Sequence, residues 1–358
     1  MAGKHPGRVL IVQHGPGRGR IRRYMRNALD FIRWQRPEVF SRLAFHATGD
    51  ARPNLREVTA LVFWLADPLR QRYPECYAQA AALQAEAVDR GIRVVNPPDC
   101  LSRTMKSEQA GRWLQAAIPT PRGYRFEQRD EIEPIIERVG FPCLVRADEE
   151  HAQVGIRICY GKSDLADLGD WVLPGIVTSL IDTRQSYRGT KAGSIWERLH
   201  HKKRILVLGE RLRTEHLMFS SEPVVSAKTS LFRRYKWASR LGWNPSLGEL
   251  EQACVEEDVA YWRQSSEHDS LMRRAVAALG LQYAAIDYCT LADGSPLLWE
   301  ANPYFCLPKR RDIMLPRLRF AQPRLASFYN AIADFLLDLA IATGGLCKGN
   351  TSSYFQAA

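Results

Sequence analysis

Short runs of β-branched and apolar residues punctuate the first hundred positions, separated by stretches whose apolar residues recur at helical spacing. Arg8-Val-Leu-Ile-Val-Gln13, Ala60-Leu-Val-Phe-Trp-Leu65 and the apolar positions of 92–95 are too short for helices and are bounded by Gly, Pro or polar clusters, so they read as buried strands. Between them lie an Arg-rich helical stretch (21–36) and a helix over 74–90, with apolar residues at 80, 83, 87 and 88, that closes on Gly91. Strands and helices alternating at these lengths predict a parallel sheet covered by helices. Asn96-Pro-Pro-Asp99 breaks the pattern and places a boundary near residue 100.

Beyond it the pattern changes. A helix over 107–117 runs into Ile118-Pro-Thr-Pro121, where each proline keeps its predecessor out of the helical region. Strands are predicted at 123–126, 142–146 and 155–159, with a helix at 131–139 and a turn at Gly140, followed by a helix and a strand reaching 181. Residues 204–219 alternate around Gly209-Glu210, which signals a hairpin. A long polar helical region over 247–279 ends at Gly280. Two further strands, 283–290 and 296–300, are joined by the turn Ala292-Asp-Gly-Ser295. A basic, proline-broken loop (304–324) leads to an amphipathic helix at 325–342, and the small polar residues 344–358 read as a disordered tail.

Composition narrows the class. The chain has 358 residues, 46% apolar and 25% charged, with a mean hydropathy of −0.30, which excludes collagen, disorder and a disulfide miniprotein. At about 150 residues per domain, two domains are expected. The apolar runs at 61–66 and 335–342 are far shorter than the ~20 residues that span a bilayer. The N-terminus leads into only four apolar residues, Val9 to Val12, where a signal peptide needs about 7 to 15. No membrane association is expected, and a cytoplasmic location is. Eight cysteines form no Cys-x-x-Cys pair and read as small buried apolar residues. Net charge is 50 − 39 = +11, so anionic partners are favoured, whether nucleotides, acidic metabolites or nucleic acid.

The strongest chemical signal is the hairpin from Ala285 through Asp287 and Glu300 to Asn302-Pro303. Alternation along a strand puts Glu300 and Asn302 on one face together with Leu298, and opposes Trp299 and Ala301. An antiparallel return brings Asp287 beside them. Two carboxylates and an amide oxygen inside an apolar hairpin repel unless a hard cation neutralises them, which points to magnesium and, through it, to a nucleoside triphosphate. Read alone, the same three residues suit turn caps or surface pairs equally well.

These residues resemble the C-terminal motif of the ATP-grasp superfamily, in which an aspartate and an E-x-N-P sequence hold two magnesium ions. Other segments follow in the family's order. Asn96-Pro, Lys106 and Gln115-Ala-Ala-Ile-Pro-Thr-Pro121 resemble the entry region of D-alanine:D-alanine ligase and of the glutathione synthetase and ribosomal-protein glutamate ligase group. Gly140-Phe-Pro-Cys-Leu-Val-Arg146 resembles the strand whose basic residue touches ATP phosphates. Thr178-Ser-Leu-Ile-Asp182 sits where the adenine hinge belongs, and Arg204-Ile-Leu-Val-Leu-Gly209 resembles the strand after it.

The resemblance covers about residues 96 to 340. It implies an α/β chain with an ATP-grasp fold (101–343, with 120–185 the smaller unit covering ATP) preceded by a small parallel-sheet domain (1–100). The implied activity is ATP-dependent joining of a carboxylate to an amine through an acylphosphate, with ATP and Mg2+, two ions, as cofactors. Partners would be small-molecule or peptide acids and amines. By the same carry-over Lys106 and Arg146 hold the α- and β-phosphates, Leu180 meets adenine through its backbone, Asp182 takes the ribose, Arg204 reaches the transferred phosphate, and Asp287, Glu300 and Asn302 hold the metal.

The departures are specific. Position 146 is Arg where most members have Lys, and it keeps the charge. Residues 147–154 replace a glycine-rich phosphate loop, and the acids Asp148, Glu149 and Glu150 are expected to repel phosphate. Ser179 stands where a hinge glutamate is usual. Ala285 stands where peptide-forming members place an arginine that steadies the tetrahedral intermediate. Tyr304 and Phe305 replace a glycine turn. A phosphotransferase or a non-catalytic nucleotide-binding scaffold are therefore the alternatives.

Weaker signals surround this core. Gly15-Pro-Gly-Arg-Gly19 lacks dinucleotide spacing and reads as a plain turn. Arg18, Arg20, Arg22, Arg23 and Arg26 form a basic run that reads as a solvated face before a nucleic-acid site, so nucleic acid is not an expected partner. His200-His-Lys-Lys-Arg204 reads as a basic loop, and His216 as a packed histidine on the returning hairpin strand. Arg310, Arg311, Arg317 and Arg319 follow the metal motif and suggest an anionic substrate.

Overall fold

The computed structural model describes residues 7–15, 25–150, 155–184, 186–187, 196–226, 229–231, 248–305 and 322–341. Three four-stranded sheets organise them. The first is parallel, in the order β2-β1-β3-β4, from β1 (Arg8–Gln13), β2 (Leu43–Ala47), β3 (Val58–Phe63) and β4 (Arg93–Val95). The central strands β1 and β3 are the apolar runs of the sequence, buried on both faces as a helix-covered parallel sheet requires. Strand β2 is not apparent from the pattern. Its sequence, Leu-Ala-Phe-His-Ala, sits at the sheet edge and buries only its two ends. Helices α1 (Arg26–Gln35), α2 (Pro37–Phe40), α3 (Leu69–Arg72), α4 (Pro74–Asp89) and α5 (Pro98–Ser102) complete this part.

Helix α6 (Lys106–Gln115) leads to a small antiparallel sheet in the order β5-β8-β6-β7, from β5 (Gly123–Phe126), β6 (Cys143–Ala147), β7 (Ile156–Cys159) and β8 (Gly175–Ser179), backed by α7 (Ile132–Val139). This unit has its own core, including Phe126, Ile132, Ile136, Val145 and Val177. The third sheet is antiparallel, in the order β10-β9-β11-β12, from β9 (His200–Leu208), β10 (Arg211–Ser220), β11 (Tyr283–Thr290) and β12 (Pro296–Asn302). Helices α8 (Glu249–Arg263), α9 (Asp269–Ala278) and α10 (Gln322–Ile341) pack around it.

Two expectations need correction here. The segment His200–Arg204 is the first half of β9, not a loop, because its backbone pairs residue by residue with β10, from His200 opposite Ser220 to Arg204 opposite His216. The single long helix over 247–279 is two helices. Gln264 is extended (φ −88°, ψ 148°) and the Ser266 hydroxyl accepts the His268 amide, a local side-chain bond that competes with helical continuation. Arg26 opens α1, whereas Arg18, Arg20, Arg22 and Arg23, the arginines at 310, 311, 317 and 319, and the tail 344–358 lie outside the described residues. Among the described residues no helix is long and apolar enough to cross a membrane.

The first sheet and the last share two cores. Val9, Ile11 and Val62 pack with Leu206, Tyr283, Phe328 and Leu336, while Leu61 and Phe63 pack with Ile205, Ile286 and Met272. Asn96 is the polar rivet between them. Its φ of 50° is left-handed, a conformation asparagine tolerates better than most residues. Its Nδ2 donates to the Tyr283 carbonyl (2.9 Å), and its Oδ1 accepts the amides of Gln282 (2.8 Å) and Tyr283 (3.2 Å). At the other end Arg324 of α10 pairs with Asp258 of α8 (3.0 Å), both buried. Replacing Asn96 by Ala strands one buried carbonyl and at least one amide, at about 1–3 kcal/mol each. Urea unfolding of Asn96→Ala is therefore expected to show a stability loss of about 3 kcal/mol, and a loss below about 1 kcal/mol would contradict the rivet.

Candidate functional site

The site lies on one face of the β10-β9-β11-β12 sheet, where an apolar stripe gives way to charge. Leu208 and Leu206 of β9, with Tyr283 and Ala285 of β11, belong to the core on that face. Continuing along the same face by twos, β9 presents Arg204 and Lys202, and β11 presents Asp287. The register sets Arg204 opposite Asp287, Asp287 opposite Glu300, and Ala285 opposite Asn302. Asp287, Glu300 and Asn302 are thus brought together as the sequence leads one to expect.

Alternation on β12 is broken, however. Residues pair as Asp287 with Glu300 and then Tyr288 with Leu298, so Trp299 is the extra residue of a β-bulge. Leu298 consequently turns into the core with Ala301 and Ile286 and does not face the way Glu300 does. The bulge separates an apolar residue from a carboxylate two positions later.

The carboxylates are held by cations. Arg204 grips Asp287 with two guanidinium nitrogens, Nε on Oδ1 and Nη2 on Oδ2 (2.9 Å), and Lys202 Nζ reaches Oδ2 at 3.0 Å. Glu300 Oε2 lies 3.1 Å from Lys106 Nζ and 3.8 Å from Arg146 Nη1, while its Oε1 accepts Asn302 Nδ2 at 3.0 Å. Four cationic side chains therefore surround two carboxylates. Their mutual repulsion is relieved by the protein itself, so the argument that only a divalent cation makes such a cluster tolerable does not stand. What remains is the donor set: two carboxylates and an amide oxygen, all hard and incomplete as a cage, which suits magnesium because that ion keeps sites for water and phosphate.

Lys106 and Arg146 come from different elements. Lys106 opens α6 and Arg146 lies on β6, with its Nη2 donating to the Glu150 carbonyl (3.0 Å). Asp148, expected to repel phosphate, instead has no exposure. It caps α6, accepting the Ser107 amide on Oδ1 (2.8 Å) and the Ser107 hydroxyl on Oδ2 (2.6 Å), with Arg125 3.6 Å away. A carboxylate at a helix N-terminus satisfies orphan amides and complements the dipole. Glu150 Oε2 lies 3.5 Å from Arg72. Burial, then the neighbouring Asp148 charge, pushes the Glu149 carboxyl up. Residues 151–154 lie outside the described residues.

The proposed adenine and ribose residues sit on the connection leaving β8. The Leu180 amide donates to the Pro142 carbonyl (3.2 Å), which leaves the carbonyl of Leu180 as the backbone group to consider for adenine. Asp182 is half exposed and ion-paired to Arg184 (2.6 Å), whose hydrogen bond holds its carboxyl below the usual range; His200 Nδ1 is 3.6 Å away. Next to it, buried His201 ties the connection to the sheet. Its Nδ1 faces the Thr183 carbonyl at 3.2 Å and its Nε2 accepts the Thr290 amide at 3.2 Å. Burial, with Lys203 nearby, pushes the imidazole down to about 3, so it is neutral. The partners of Leu180 and Asp182 named here are not members of the charged cluster.

Glu215 is an addition to the sequence reading, while Lys202, read there as part of a basic loop, joins the charged cluster and His216, read as a packed histidine, lies beside it. The signal for Lys202 was its spacing of two from Arg204. No pattern announced Glu215, because it sits in a bulge of β10 between Thr214 and His216; its Oε2 lies 3.9 Å from Arg204 Nε.

Burial is the largest influence on Asp287 and opposes its ionisation, but the Arg204 charge, then Lys202, then the Arg204 hydrogen bond prevail, and the carboxyl is lowered from 3.8 to about 2. A carboxyl depressed in the folded state stabilises it fully above the unfolded value, and that contribution is lost as pH falls through the folded one. In nucleotide-free protein, the pH dependence of urea stability between about 4 and 2 is therefore expected to flatten in Asp287→Asn relative to the unaltered chain. An unchanged slope in that window would show that the pair does not form.

No family model matches the sequence, and no curated protein matches it. Solved structures do. The ATP-grasp ligase PsnB complexed with minimal precursor superposes with a TM-score of 0.52 at 13% identity, over 92% of this chain and 99% of that one. The macrocyclase MdnC from Microcystis aeruginosa MRC, bound with precursor peptide MdnA, gives 0.52 at 14%, over 92% and 99%. D-alanyl-alanine synthetase A from Vibrio cholerae gives 0.52 at 11%, over 94% and 98%. With a parallel sheet followed by two antiparallel sheets, spanning nearly the full length of each of these proteins, the chain has the ATP-grasp fold.

Proposed function

We propose that this protein is an ATP- and magnesium-dependent ligase that joins a carboxylate to an amine through an acylphosphate. One observation carries the reading: Lys106, Arg146, Lys202 and Arg204 converge on Asp287 and Glu300 from two sheets and a helix. With Glu215 3.9 Å from Arg204, four positive charges face three negative ones, and the local surplus of one favours a polyanion that brings its own counterion. In this reading Lys106 and Arg146 take the α- and β-phosphates, Arg204 the transferred phosphate, and Leu180 and Asp182 the adenine and ribose. Asp287, Glu300 and Asn302 would hold magnesium, which neutralises charge on the phosphates when bound. Structures of PsnB have been solved with Mg and ADP, and with AMPPNP and a precursor peptide.

The residues would act mainly by position and charge. Arg204 lies between the metal ligands and the β10 edge of the sheet, so a carboxylate entering from that edge meets the transferred phosphate beside a guanidinium, an arrangement suited to stabilising charge as it moves. Substrates would be small-molecule or peptide acids and amines, with anionic character favoured by Arg310, Arg311, Arg317 and Arg319, which follow the Glu300–Asn302 motif in sequence.

A second reading, phosphotransfer without an amine, is favoured by Ala285. That residue is fully buried in the core opposite Asn302 and supplies no charge to a tetrahedral intermediate.

Mg-AMPPNP at about 100 times its Kd is expected to stabilise the chain by about 2.7 kcal/mol and to raise Tm accordingly. Asp287→Asn and Glu300→Gln should abolish that rise, and retention of the full rise in both would place the nucleotide elsewhere. In a screen of amino acids and dipeptides, ADP release should require both an acid and an amine. ADP release with a single hydroxylated acceptor and no amine would favour the phosphotransfer reading.

A further inference from the structure

The charged row on the third sheet extends one strand beyond Arg204. The register sets His216 of β10 directly opposite Arg204, which is itself opposite Asp287, which is opposite Glu300. Glu215 is the extra residue of the β10 bulge, and bulges re-aim side chains. Here the bulge puts two consecutive residues to work on one face: Glu215 Oε2 lies 3.9 Å from Arg204 Nε, and Glu215 Oε1 lies 3.6 Å from His216 Nδ1. Both side chains are buried. Across four strands the sheet therefore presents imidazole with carboxylate, guanidinium, carboxylate, carboxylate.

Resting on the ligase reading above, we propose that His216 is the general base that accepts the proton of the attacking amine, and that Glu215 is its positioning residue. If Asp287 and Glu300 mark the metal and Arg204 the transferred phosphate, the next position along the row borders the acyl carbon, on the side from which a nucleophile arrives. An amine attacking an acylphosphate forms a C–N bond, and the C–O bond to phosphate breaks with its electron pair leaving on phosphate. The nitrogen must then lose a proton. His216 takes it on Nε2, the ring nitrogen away from Glu215, while the Glu215 carboxylate favours the imidazolium so formed. Glu215 is a poorer choice of base, because its carboxylate is already engaged between Arg204 and His216. Among the described residues, the charged and titratable groups facing the pair include Arg204 on β9 and Tyr261 on α8, whose hydroxyl donates to the Arg204 carbonyl.

The test compares two nucleophiles on the same acid. Each common amino acid is offered as the carboxylate with ATP and magnesium, once with hydroxylamine, a weakly basic nucleophile whose nitrogen, once bonded to the acyl carbon, gives up its proton to water without help, and once with a second amino acid as the amine. His216→Gln is expected to slow amide formation about 100-fold and hydroxamate formation far less, raising the hydroxamate-to-amide ratio at least tenfold. Glu215→Gln should shift the ratio in the same direction by a smaller factor, and carries the test by itself if His216→Gln does not fold. Both products falling together, or amide formation undiminished in His216→Gln, would overturn the proposal. If the unaltered protein releases ADP with an acid yet gives neither hydroxamate nor amide, the ligase reading itself has failed and the base falls with it.

Discussion

The arrangement depends on a buried ion pair. Asp287 is removed from water, which ordinarily disfavours its charge, and it stays ionised because Arg204 and Lys202 meet it from the adjacent strand. Breaking such a pair by removing one member costs about 3–5 kcal/mol, whereas the intact pair adds little net stability over an apolar isostere. Its worth is therefore specificity. The register of β9 against β11 is the one in which a guanidinium finds a carboxylate, and a slip by one residue would set Asp287 opposite Lys203 or Ile205 instead.

That register also settles which face carries the charged cluster. Along β9 and β11 the residues alternate between two cores, so the whole sheet is a buried partition. The charged half is simply the continuation of one apolar stripe past Leu206 and Ala285. Bulges at Trp299 and Glu215 then adjust which side chains reach the row, one by turning Leu298 away and the other by adding a carboxylate.

Much of this was legible in the sequence because it rests on local patterns. Apolar runs gave β1, β3, β11 and β12, and the spacing of Glu300 and Asn302 gave their common face. What was not legible rests on partners distant in sequence or on irregular backbone. Strand β2 is an edge with a weak pattern. The role of Asp148 depends on Ser107, forty-one positions away. Lys202 looked like one of several basic residues until β9 was seen to be a strand. Neither bulge can be inferred from alternation, since a bulge is its interruption. The Leu180 amide could not be known to be engaged without the Pro142 carbonyl beside it.

The Asp148 cap has a mechanical consequence. Asp148, just past the end of β6 and two residues beyond Arg146, grips the amide and hydroxyl of Ser107 next to Lys106, so a single buried carboxylate ties together the two segments that carry these cations. A flexible tether would let the two charges move independently. This one holds them as a gauge of fixed opening.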